Sequence, residues 1–125
     1  MKTEHWKEEP EEKDYPAAFN YLSLLIDPRE AKKIVKTMKR NPRIGHFKAK
    51  DLFRASSLPH LPADDHEVAK HLHKVKSGEQ LSPVLLVRGT PLWVADGYHR
   101  ICASYRLNED EDIPCRIVDR FKPTR

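Results

Sequence analysis

The chain predicts an α/β fold of the α+β kind, a small mixed sheet with packed helices and an N-terminal helical extension. Three observations carry that prediction. Pro83-Val84-Leu85-Leu86-Val87-Arg88 and Leu92-Trp93-Val94-Ala95 are short apolar runs parted by a brief loop, which reads as two buried strands. Upstream, apolar residues recur three and four apart, the spacing of one helix face. A further run, Ile113-Pro114-Cys115-Arg116-Ile117-Val118, follows a breaker-free helical segment and reads as a last strand. A length of 125 residues with 38% hydrophobic content suits one globular domain with a modest core.

In chain order, residues 1–13 lack apolar periodicity and read as a flexible charged tail. Residues 14–46 read as a helical extension. Asp14 and Pro16 open its first helix, whose Ala18, Leu22 and Leu25 share a face, with Phe19 and Ile26 beside them. The second helix has Asp27 as cap, Pro28 at the first helical position, Glu30 three residues after the cap, and an Ala31, Ile34, Val35, Met38 stripe. Asn41-Pro42 ends it. The α/β domain proper is predicted over 47–119. It opens with a short helix from Lys48 to Ser56 that turns Leu52 and Phe53 inward, and continues with a helix over 64–77 burying Val68, Leu72 and Val75, with Gly78 at its end. Residues 120–125 form a C-terminal tail.

The chemistry concentrates where strand meets helix. Asp96-Gly97 is a turn dipeptide, and the helical pattern is established by Ile101. The first N–H groups of such a helix lack intrahelical acceptors and carry the positive end of the helix dipole, so an anion fits there. Arg100 adds a planar fork matched to phosphate oxygens, and His99 adds a donor that moves protons near neutral pH. Gly97 permits close approach to the main chain. The site read from the residues is therefore Gly97, Tyr98, His99 and Arg100 for phosphate, with Asp96 and His99 as the catalytic candidates. On the preceding helices, Lys50 and Arg54 share a face and either extend the phosphate site or solubilise their helix.

The runs from Pro83 to Arg88, from Leu92 to Arg106 and from Ile113 to Val118, with Leu58-Pro59-His60-Leu61 and the helix after it, resemble the ParB/sulfiredoxin superfamily over roughly residues 47–119. That core runs helix, strand, strand, glycine turn, helix, strand. The most specific part is Gly97-Tyr98-His99-Arg100. Sulfiredoxins have Gly-Cys-His-Arg there, the cysteine attacking a phosphorylated sulfinic acid while His and Arg hold ATP phosphate. Tyr98 stands at the cysteine position and supplies no thiolate, which argues against sulfiredoxin activity. ParB proteins have a Gly-Glu-Arg-Arg type corner that binds a nucleoside triphosphate, then a helix-turn-helix and a dimerisation segment for which a chain ending at Arg125 has no room. Kinases of free serine resemble Asp96 to Arg100 closely. The resemblance implies a nucleotide-phosphate site, with ATP, ADP or CTP as ligand and Mg²⁺ accompanying the phosphates, and it makes Lys70 a nucleotide contact.

Charge and composition narrow the classes. Residues 1–14 hold three lysines against six carboxylates, a net of −3, so the remainder holds +7. Such a balance attracts nucleotides and admits DNA as a partner, the weaker alternative because a recognition helix is missing. No apolar run approaches the roughly 18 residues that span a membrane, and the N-terminus is too charged for a signal peptide, so the chain is expected in the cytoplasm. Cys102 and Cys115 read as reduced interior residues. Seven histidines lack the spacing of metal ligands, and no metal site is expected. No Walker loop or nucleophile elbow is present. The expected function is binding of a nucleotide or phosphorylated small molecule, with phosphoryl transfer if His99 and Arg100 neutralise developing charge while Asp96 orients a nucleophile, or as a sensor if they do not.

Overall fold

A computed structural model describes residues 5–40 and 44–120. The elements are α1 (Asp14–Leu22), α2 (Pro28–Arg40), β1 (Gly45–Lys48), α3 (Ala49–Ser56), α4 (His66–Lys76), β2 (Val84–Arg88), β3 (Trp93–Asp96), α5 (Tyr98–Leu107) and β4 (Asp112–Asp119). The four strands form one mixed sheet in the order β1-β4-β2-β3, with β2 and β4 parallel and both outer pairs antiparallel. The fold class is α/β, as expected.

The continuous apolar sequence of β2 follows from its position. Helices cover both faces of the sheet, so alternate side chains must all be apolar. Val84 and Leu86 pack with α3, α4 and α5, while Leu85 and Val87 pack with α1 and α2. The extension is thus one of the two helical layers. Asp27 caps α2 as predicted, its Oδ1 accepting from Arg29 N at 2.8 Å. Asp65 caps α4 by accepting from the N–H groups of Glu67 and Val68. Gly78 follows α4 with φ +84°, the left-handed conformation suited to a helix end.

Four expectations need correction. Residues 5–13 are not a flexible tail, because Trp6 is 3% exposed and the chain beside it pairs with Leu81: Lys7 N donates to Leu81 O at 2.7 Å and Leu81 N to His5 O at 2.8 Å. A single tryptophan leaves no periodic trace, so its anchoring role is invisible to pattern reading. Second, the boundary drawn between 46 and 47 cuts through β1, a four-residue edge strand without apolar alternation that pairs with β4. Third, α1 stops at Leu22, and Leu25, which lies beyond it, is 43% exposed. Fourth, α5 begins at Tyr98 rather than near Ile101, so His99 and Arg100 lie within its first turn. Asn41-Pro42 and residues 121–125 lie outside the described residues. Among the described residues no helix is long and apolar enough to cross a membrane.

Candidate functional site

β3 delivers Asp96 to the sheet edge, and the chain reverses at Gly97, φ +106°, to begin α5. The N–H groups of Tyr98, His99 and Arg100 have no acceptor among the described residues, and no side chain caps the helix. The glycine is required, but for packing. A Cβ at Gly97 would sit 2.5 Å from Val84 Cγ1 and 2.9 Å from Arg100 Nη2, so the space expected for a ligand is filled by the protein.

Arg100 is likewise turned inward. Its Nη2 donates to Asp96 Oδ2 at 3.0 Å and to Pro83 O at 3.3 Å, and Nη1 lies 3.9 Å from Asp14 Oδ1. Asp14, 3% exposed, also accepts from Glu11 N at 2.9 Å, tying the N-terminal segment to the turn. Burial raises the Asp96 carboxyl above its usual range, against the opposing pull of Arg100 and with Asp14 adding to the rise. Asp96 therefore orients Arg100 rather than a free nucleophile. Nε of Arg100 is buried and has no partner.

Arg100 also lines a small cavity of about 50 Å³ between α4, the start of α5, residues 80–82 and residues 11–13. His71 and Lys74 line it from α4, with Lys13 and Glu11 from the N-terminal segment. Nδ1 of His71 is also buried without a partner. Burial, with the Arg100 and Lys74 charges assisting, pushes His71 down to about 4, so its imidazole is neutral at pH 7. Glu11 is held by two lysines, Lys7 at 2.9 Å and Lys13 at 3.5 Å, and Arg100 by Asp96 and Asp14, which leaves Lys74 to set the sign of the cavity.

Of the residues predicted for phosphate or catalysis, only Arg100 lines this cavity; Asp96, Gly97, Tyr98 and His99 do not. His99 is near enough to depress His71, and its ring packs 5.2 Å from that of Tyr98. Tyr98 donates its hydroxyl to Pro59 O at 2.7 Å, docking the α3–α4 loop on α5, and burial pushes it up to about 12. Lys50 pairs with Asp110 beyond the C-terminal end of α5, about 15 Å along that helix from its start. Arg54 pairs with Asp51 and lies against the Gly89-Thr90-Pro91 loop. Lys70 pairs with Glu67 at 3.8 Å.

The residues missed on α4 are His71 and Lys74. Their separation from Glu67 by four and seven residues places all three on one helix face, a signal present in the sequence. The His60 ring packs 4.1 Å from that of Phe53 and 4.3 Å from that of Tyr105. Cys102 and Cys115 are buried free thiols, and burial raises both above the usual thiol range, leaving little thiolate at neutral pH. Among the described residues no group of three metal-ligating side chains converges. No family model, no curated protein and no solved structure matches the chain.

Proposed function

We propose that the chain binds a phosphorylated small molecule or nucleotide, seating one phosphoryl group in the cavity between α4 and the first turn of α5. The observation that carries this reading is a cavity lined by Arg100 and His71 from two different helices, each with a buried side-chain nitrogen that has no partner. Buried polar atoms without partners are costly, by about 1–3 kcal/mol each, and an acceptor-rich ligand or water relieves that cost. Lys74, whose charge no carboxylate among the described residues meets, favours an anion over a neutral ligand. A cavity of about 50 Å³ holds a phosphoryl-sized group or a few waters, whereas whole small-molecule sites run to roughly 300 Å³ or more, so sugar and base would lie outside it.

Kinship with the ParB/sulfiredoxin superfamily is part of the proposal. Its support is the element order α4, β2, β3, glycine turn, α5, β4. The reading is one of binding rather than transfer, since Asp96 is engaged with Arg100 and does not line the cavity. Calorimetry with inorganic phosphate, ATP, ADP and CTP, with and without Mg²⁺, tests it. Heat with at least one ligand, reduced about tenfold in affinity by Lys74→Gln, is expected. Absence of heat with every ligand, or unchanged affinity in both Lys74→Gln and His71→Leu, removes the reading.

A further inference from the structure

A second concave face lies on the other side of the sheet. Between α2 and the C-terminal ends of β2 and β4 runs an open groove of about 650 Å³. Lys33, Lys36 and Arg40 line it from α2, and Arg88 and Arg120 from the strand ends. Its two carboxylates are neutralised internally, Asp119 by Arg88 at 2.8 Å and Glu30 by Arg120 at 3.2 Å. Lys33, Lys36 and Arg40 are exposed and have no ion-pair partner among the described residues. Like charges three and four apart on a helix repel, so this row weakens α2 when nothing faces it.

We propose that this groove docks the phosphate backbone of a nucleic-acid strand. Residues 33, 36 and 40 share a face and rise about 10.5 Å along the helix, at roughly 1.5 Å per residue. Three cations in one row can each meet one phosphate, so the row neutralises up to about three phosphates of a strand. The floor of the groove favours a strand over a bilayer. Ile34 and Val118 are buried and Ile117 is half-buried, so little apolar surface stands among the cations to enter lipid. The surface is separate from the phosphoryl cavity, which lies across the sheet against α4 and α5, so either stands without the other.

Fluorescence anisotropy tests it, with labelled oligothymidylate, labelled oligouridylate and a labelled duplex as probes between about 50 and 200 mM salt. Binding is expected with a slope of log affinity against log salt near −2 for single strands and near −3 for duplex. Lys33→Gln, Lys36→Gln and Arg40→Gln together should flatten the slope and cost about tenfold or more at the low-salt end. Lys48→Gln with Lys76→Gln, exposed cations elsewhere on the molecule, should leave both unchanged. The arms identify DNA, RNA or duplex as the source. No binding to any probe at low salt, an unaltered slope in the triple variant, or equal affinity for polyglutamate or phosphatidylserine vesicles overturns the proposal.

Discussion

Nη2 of Arg100 stands 3.0 Å from Oδ2 of Asp96, four residues back across the Gly97 turn. The pair locks the corner that joins β3 to α5, and Asp14 draws α1 and the N-terminal segment to the same cation. A guanidinium held this way presents only one edge to a ligand. Removing its carboxylate partner should therefore move stability and anion affinity in opposite directions. Asp96→Asn keeps an oxygen for the hydrogen bond but loses the charge. A loss of about 1.5–3 kcal/mol in urea unfolding is expected, together with severalfold tighter inorganic phosphate by calorimetry. Tighter folding, or weaker phosphate binding by a folded variant, would contradict the assigned role of Arg100.

Gly97 tests whether the turn is needed for packing. Gly97→Ala places a methyl 2.5 Å from Val84 Cγ1 at φ +106°, combining overpacking with an unfavourable backbone conformation. Each effect costs about 1–3 kcal/mol. The urea midpoint should fall accordingly, and a variant as stable as the parent would mean that the turn relaxes without cost.

His71 makes stability depend on pH. In the unfolded chain its imidazole takes up a proton near 6.5, whereas in the folded chain it does so only at about 4. Between those values the unfolded state binds more protons, so acidification destabilises the fold through this group, and above that window the contribution is level. Asp96 works the other way, because its raised pKa lets the folded state gain a proton first. The informative quantity is thus the stability difference between the parent and His71→Leu across pH 4–7. The parent should gain stability relative to the variant as pH rises through this window and lose it as pH falls. A flat difference would mean that the imidazole is not desolvated. Bound phosphate should raise the His71 pKa, which proton NMR of its ring reads directly.

Legibility followed the kind of signal each residue leaves. β2, β3, α2 and the glycine corner were readable because periodicity, cap chemistry and a turn dipeptide are local. The cavity was not, because it joins residues 11–13, 71–74, 80–82 and 100, and such convergence has no local pattern. Arg100 was read correctly as charged and near the helix start, but its partner Asp14 lies 86 residues away in sequence and is drawn in by tertiary packing. Trp6 and β1 failed for a related reason. Each is stabilised by a distant partner, Leu81 and β4, and neither carries repetition of its own.

Arg116 supplies the most demanding test of the layer formed by α1 and α2. It is 5% exposed in the middle of β4, and its Nη1 donates to Met38 O at 2.8 Å, Lys39 O at 3.3 Å and the Tyr15 hydroxyl at 3.2 Å. No carboxylate pairs with it among the described residues. The last carbonyls of α2 take that place, since the C-terminal end of a helix is the negative end of its dipole. Arg116→Met fills similar volume but strands those carbonyls and the hydroxyl, with an expected loss of about 2–4 kcal/mol. Arg116→Lys keeps the charge and gives up the planar fork, so it should recover part of that loss. If Arg116→Met were as stable as the parent, the buried cation would not be what holds α2 against the sheet.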